Sequence, residues 1–181
     1  LVRALMARGL AHCLAPMNEK KSGTYKLARE STRAQTDLET AEHIADDLRN
    51  PRLAAEVMLR RGTCSALIGD NAAADVLFRK TMNTAQRQRF RLIEAKAAGN
   101  IGNLRIRTAE YDDAVRWLRR SEDLMTGIAA GATRARNLGR LGWCYYLLGD
   151  YERALQVLSE GEALMRELDL AGDHWIVLQN L

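Results

Sequence analysis

The chain has 181 residues, a formal net charge of +4 and two prolines, Pro16 and Pro51, against a wealth of Ala, Leu, Arg and Glu. These are strong helix formers, so the composition points to an all-α protein, and the mild charge does not by itself argue for nucleic acid. No apolar run approaches the roughly 18 residues of a membrane span, and Cys13, Cys64 and Cys144 form no C-x-x-C pair, so neither a disulfide framework nor a zinc site is suggested. A reducing, cytoplasmic setting is the expectation that follows. The start, Leu1-Val2-Arg3-Ala4, has no signal-peptide layout and no initiator Met, as expected of a fragment of a larger protein.

Residues 1–50 are expected to form a first helical hairpin. Gly9 sits where a close helix–helix contact is needed, and Leu27, Ser31, Ala34, Leu38, Ala41, Ala45 and Leu48 alternate at spacings of four and three, the pattern of one buried helical face. Gly9 and Ala34 are 25 residues apart, so an inserted loop near 15–24 is predicted, with part of the insertion lengthening the helix. Asn50-Pro51 then reads as an N-cap followed by proline at the first helical position.

From residue 51 onward the chain repeats. Gly62, Gly102 and Gly142 are 40 residues apart; each is followed twelve residues later by Ala74, Ala114 or Ala154, and four later still by Phe78, Leu118 or Leu158. Between glycine and alanine lies a turn: Gly69-Asp70-Asn71, Ala109-Glu110-Tyr111 and Gly149-Asp150-Tyr151. Antiparallel helices approach closely only where their facing side chains are small, and the Phe or Leu one turn further on fills the wider gap beside them. This spacing predicts hairpins over 51–90, 91–130 and 131–170. Leu178 and Leu181 repeat Leu138 and Leu141 at the same interval, so 171–181 is read as part of a further repeat.

Leu138-x-x-Leu141-Gly142-x-x-Tyr145, followed by Ala154 and Leu158, resembles the tetratricopeptide repeat family, whose pattern is W-x2-L-G-x2-Y, then Ala, then Phe. Leu138 stands in place of the Trp, Arg105 in place of the Tyr of the preceding unit, and Arg61 in place of the Leu before Gly62. No unit has the family's terminal proline, and the 40-residue period looks like its long-helix type, as in LGN-like adaptors, kinesin light chains and bacterial regulatory proteins. The resemblance implies a right-handed superhelical solenoid of antiparallel helix pairs. It also implies a non-enzymatic scaffold for protein–protein interaction, holding a peptide or partner segment in a concave groove lined by the first helix of each unit.

Carried onto this sequence, the family's register places Arg60, Thr63, Lys96, Asn100, Asn103, Arg107, Arg136, Arg140, Trp143, Tyr146 and Asn180 toward that groove. Gly99-Asn100-Ile101-Gly102-Asn103 looks like the backbone-holding asparagines of peptide-binding members, each carrying a donor and an acceptor; a solvated surface is the alternative. Arg60, Lys96, Arg107, Arg136 and Arg140 would make the groove basic and favour an acidic ligand, again against a plain solvated face. Trp143 and Tyr146 are either a binding hot spot or packing for the adjacent unit. Tyr145 and Trp117 are expected in the core.

Lys20-Lys21-Ser22-Gly23 has the wrong order for a phosphate-binding loop, and His12, His43 and His174 lie far apart. No catalytic, cofactor or metal site is therefore predicted, and the chain is not read as an enzyme. Arg87-Gln88-Arg89-Phe90-Arg91 could start a basic stripe, but acidic residues are interleaved throughout, so nucleic acid is not the expected partner. Leu141 to Asp150 also looks like repeat arrays attached to CHAT-type proteases. Similar arrays precede kinase, cyclase and transcription-factor domains, so the alternative is a sensor region whose output module lies outside this chain. Exposed solenoid ends give a route to a homodimer.

Overall fold

The computed structural model describes residues 1–18 and 24–168, with side chains over 1–12 and 33–168. Its described residues form eight helices: α1 (Val2–Asn18), α2 (Thr24–Asp47), α3 (Pro51–Leu67), α4 (Asn71–Arg87), α5 (Arg91–Arg107), α6 (Tyr111–Met125), α7 (Gly131–Leu147) and α8 (Tyr151–Glu167). By its contacts the chain divides into two compact units, Leu1–Ile93 and Glu94–Leu181.

From α3 onward the helices start at residues 51, 71, 91, 111, 131 and 151, so each 40-residue repeat is two 20-residue halves. The stop signal keeps the same step. Arg49, Gly69, Arg89, Ala109 and Gly149 all have positive φ, and after each the next amide donates back to a carbonyl five residues earlier: Asn50 to Ala45, Asp70 to Ser65, Phe90 to Ala85, Glu110 to Arg105, Asp150 to Tyr145. This is the Schellman ending, in which a left-handed residue lets the orphan carbonyls of the last turn find donors. The start signals are side chains. Asn50, Asp70 and Asp150 accept from the backbone amides of Leu53, Ala73 and Arg153, as expected of N-caps. Glu110 makes no such bond, and α6 begins instead with Asp112 and Asp113 in the first turn, where the helix dipole favours them.

In the first unit α1 packs on α2, α3 on α4, and α3 also meets α1 and α2. Val2, Leu5 and Met6 of α1 join Ala34, Leu38, Ala41 and Ala45 of α2 and Val57 and Cys64 of α3 in one core. The Gly9 hydrogen faces Leu38 and the carbonyl of Ala34, which lie 3.0 and 3.2 Å from where a Cβ would stand; Gly9 thus plays the repeat-glycine role. The insertion lengthens helices more than loop: Ala15 to Asn18 are helical, α2 runs for 24 residues, and the rest of the predicted loop, 19–23, lies outside the described residues. Leu48, expected on the buried face, is exposed because α2 ends at Asp47. Leu27 and Ser31 lie outside the described side chains.

Each later glycine is covered by the large residue sixteen positions on. A Cβ on Gly62 would stand 2.6 Å from the Phe78 ring, one on Gly102 would stand 2.8 Å from Leu118, and Gly142 is covered by Leu158. The large side chain therefore sits on the glycine itself rather than in a gap beside it. In the second unit α6 packs on α7 and α7 on α8, around Leu118, Leu138, Leu141, Cys144, Tyr145 and Val157. A buried polar stitch runs through this core: Ser121 Oγ donates to the carbonyl of Ala95 at 2.6 Å, and Asn137 Nδ2 donates to Ser121 Oγ at 2.8 Å. Gly99 leaves the room, since a Cβ there would meet Asn137 Oδ1 at 3.0 Å.

Two further expectations change. Cys64 is buried and disulfide-bonded, where the cysteine spacing suggested no disulfide, whereas Cys144 is free and buried. Trp117 is half-buried, with the Arg120 guanidinium 5.7 Å from its ring centroid, while Tyr145 is in the core as predicted.

Candidate functional site

Counted from the repeat glycines, the predicted site residues fall at fixed offsets on the first helix of each hairpin. Arg60 stands two before Gly62, Asn100 two before Gly102 and Arg140 two before Gly142; Lys96 and Arg136 stand six before, and Thr63, Asn103 and Trp143 one after. In the first unit the structure gives these offsets a physical meaning. A cavity of about 480 Å³ opens between α1 and α3, walled by Arg3, Ala7 and Leu10 with Glu56 and Arg60, over Met6 and Ala11. Five of those residues sit six before, two before or one after Gly9 or Gly62. Arg3, Ala7, Leu10 and Glu56 were not singled out from the sequence, although counting the same offsets from Gly9 and Gly62 finds all four.

The lining is mixed: Met6, Ala7, Leu10 and Ala11 are apolar, Arg3 and Arg60 are cationic and Glu56 is anionic. Glu56 lies 3.6 Å from Arg52, one turn earlier, whereas Arg3 and Arg60 have no carboxylate partner among the described residues. Thr63 is half-buried and its hydroxyl donates to the carbonyl of Leu59 at 3.0 Å, a bond within its own helix.

In the second unit Lys96, Asn100 and Asn103 of α5 are half-buried, and Arg107 and Arg136 are exposed. Arg140 is half-buried. Burial, and then repulsion by Arg136 one turn away, lowers the pKa of its guanidinium to about 10; it remains charged at neutral pH, and no carboxylate pairs with it among the described residues. Further along α7, Trp143 and Tyr146 are each 52% exposed and stack with ring centroids 5.6 Å apart and planes at 21°. Tyr151, at the start of α8, continues the row at 5.7 Å from Tyr146. Asn180 lies outside the described residues.

Several other charges pair across helices. Arg8 holds Asp37 through both carboxylate oxygens at 2.7 and 2.5 Å, Arg61 pairs with Glu42, Arg120 with the buried Glu94, and Arg134 bridges Glu122 and Glu160. Among the described residues no cluster of His, Cys, Asp and Glu could hold a metal ion. No helix among them is long and apolar enough to cross a membrane.

The tetratricopeptide repeat family model matches residues 93–167. No curated protein sequence matches the chain. Among solved structures the chain is similar to BtubC (BKLC) from P. vanneervenii, with a TM-score of 0.65 at 14% identity over 93% of this chain and 74% of that one. It is also similar to the Rap conjugation gene regulator of plasmid pLS20, solved with the Phr* peptide, with a TM-score of 0.73 at 17% identity. That match takes in 96% of this chain and only 50% of the regulator, so the chain spans half its length. MamA shares 15% identity at a TM-score of 0.54, over 74% of this chain and 80% of its own. At these identities the likeness is one of fold. Helices in a 20-residue step and glycine seats for Phe or Leu recur through the described residues, and over 93–167 the chain matches the tetratricopeptide repeat family model.

Proposed function

We propose that the chain is a non-enzymatic scaffold that holds an acidic, extended segment of another polypeptide against the first helices of its hairpins. The observation that carries this reading is the α1–α3 cavity, whose walls stand at the offsets where the repeat register puts ligand-facing residues. Its Arg3 and Arg60 meet no carboxylate among the described residues, and Arg136 and Arg140 stand at the same offsets on α7. A carboxylate that joins a guanidinium forms a charge-assisted bond worth about 1.5–3 kcal/mol. The Rap regulator, which shares the fold, was solved with a peptide, and a peptide is accordingly the ligand class proposed here.

Charge reversal tests this. Arg60→Glu, and separately Arg136→Glu with Arg140→Glu, are expected to weaken binding of acidic peptides by about tenfold or more, read by fluorescence anisotropy. Unchanged affinity in both variants would sink the assignment.

A second reading is favoured by the half-length match to the Rap regulator: the repeats sense a ligand on behalf of an output module elsewhere in a longer protein. A cytoplasmic location forms no part of the proposal, because Cys64 is disulfide-bonded and disulfides belong mainly to oxidising compartments.

A further inference from the structure

Hairpins α5–α6 and α7–α8 match position for position, yet the C-terminal half of the second helix is covered in one and bare in the other. On α6, Leu118 is fully buried, Met125 is 1% exposed, and the Glu122 side chain keeps only 12% of its surface in solvent. Forty residues on, along α8, Leu158 is 43% exposed, Met165 is half-buried and the Glu162 side chain is 71% exposed among the described residues. The cover on α6 is the N-terminal half of α7. Arg134 reaches Glu122, Asn137 donates to Ser121, and Leu138 and Leu141 join Leu118 in one core.

We infer that residues 171–181 of this chain dock on the C-terminal half of α8 as a helix, as Gly131 to Leu141 do on α6. Residues 169–181 lie outside the described part of the chain, and three features fit them to this seat. Helix starts from 51 to 151 come every 20 residues, which puts the next at 171. The buried residues in the first eleven of α7 are Ala135, Asn137, Leu138 and Leu141, and forty residues after them stand Trp175, Val177, Leu178 and Leu181. All four are apolar and fall on one side of a helix. The third feature is a paired replacement. Where Asn137 binds Ser121 beside Gly99, the next hairpin has Val177, Gly161 and Gly139. Hydroxyl and amide are lost together, so neither is left buried without its partner, and both glycines leave room for the valine.

At the rim, His174 takes the place of Arg134 and Glu162 that of Glu122. Glu162 holds Arg166 at 2.7 Å, so the seat grips by apolar contact rather than by charge. Leu158 lies at its edge, under the last turn. The link also favours the chain's own segment over a second copy. Three residues join α3 to α4, α4 to α5, α5 to α6 and α7 to α8, and the same number separates α8 from residue 171. A segment tethered so closely outcompetes the same pattern arriving from solution. Docked there, Ile176 and Asn180 stand where α7 carries Arg136 and Arg140, so the first-helix face continues without cations.

Hydrogen exchange of the full chain, read by mass spectrometry, tests this. An isolated helix of about eleven residues is marginal in water, so protection of 171–181 requires packing. The expected result is exchange about tenfold or more slower than in a free synthetic peptide of residues 169–181, in a chain that sedimentation shows to be monomeric. Leu178→Glu keeps helix propensity and should abolish the protection, whereas Ile176→Glu, at the place of the exposed Arg136, should keep it. Val177→Asn should lower the melting temperature, and Gly161→Ser should restore part of that loss by rebuilding the Ser121–Asn137 bond one hairpin on. Exchange as fast as in the free peptide overturns the docking. Protection that appears only when the chain dimerises gives the seat to a second copy and overturns it as well. Protection lost in Ile176→Glu or kept in Leu178→Glu, or additive effects of Val177→Asn and Gly161→Ser, would mean that another face or register is buried, and overturns the assignment.

Discussion

An added methyl at Gly62 would meet the Phe78 ring at 2.6 Å, and that ring is 1% exposed, so nothing can move aside without disturbing the core. The same methyl at Gly142 meets Leu158, which is 43% exposed and free to swing outward. Gly62→Ala is therefore expected to cost about 1–3 kcal/mol, the range for overpacking a tight core, and Gly142→Ala clearly less. Urea unfolding of the two variants checks the order; equal losses would mean that the glycines matter only as backbone. Ala109 makes the opposite case. Its φ of 59° is one that an L side chain resists by about 1–2 kcal/mol, partly offset by the entropy that glycine adds to the unfolded chain. Ala109→Gly should raise the melting temperature, while the same change at the right-handed Thr108 should lower it. Glycine and capping positions were legible in the sequence because turn and close contact demand particular residue types. The offset rule was legible too, since counting from Gly9 and Gly62 finds Arg3, Ala7, Leu10 and Glu56.

Helices are joined by charge as well as by glycine seats, and these pairs were not legible, since their partners lie far apart in sequence. Arg8 of α1 and Asp37 of α2 are 29 residues apart; Ser121 and Asn137, which lock α6 to α7, are 16 apart. Neither pair follows from periodicity, which reports only which face of a helix is buried. The disulfide at Cys64 was hidden for the same reason: spacing in sequence says nothing of distance in the fold. Hydrogen bonding from Arg8 holds the Asp37 carboxyl below the usual carboxylate range, against the opposing effect of burial. A pKa depressed on folding contributes stability that is present above the unfolded value and lost as pH falls through the folded one. Asp37→Asn is thus expected to be less stable than the parent at neutral pH and to converge with it in acid. Glu122 runs the other way, because burial raises its pKa despite Arg134 and Asn137. Its contribution is lost as pH rises through the folded value, so relative to Glu122→Gln the parent gains stability on acidification. Thermal melts over a pH series separate the two signs; parallel curves for parent and Asp37→Asn would rule out the α1–α2 clamp.

Across the whole chain, 27 basic residues face 23 acidic ones, yet the net charge of +4 matters less than where the unmatched cations stand. Arginines at helix–helix contacts are largely consumed by carboxylates, as with Arg8, Arg61, Arg105, Arg120 and Arg134. Arg3 and Arg60 in one unit and Arg140 in the other have no such partner among the described residues, and all three stand on first helices, six or two residues before a repeat glycine. Two consequences for salt follow. Raising ionic strength screens exposed cations within a Debye length of about 10 Å at 0.1 M but leaves ring contacts intact. An acidic peptide meeting two or three arginines should therefore lose about tenfold or less between about 50 and 200 mM salt. A nucleic acid making six or more phosphate contacts would lose about a thousandfold over the same interval. A steep loss for the peptide would mean that charge alone holds it and that the Trp143–Tyr146 stack contributes nothing. A shallow loss that vanishes in Trp143→Ala with Tyr146→Ala would locate the salt-resistant part of the affinity on that stack.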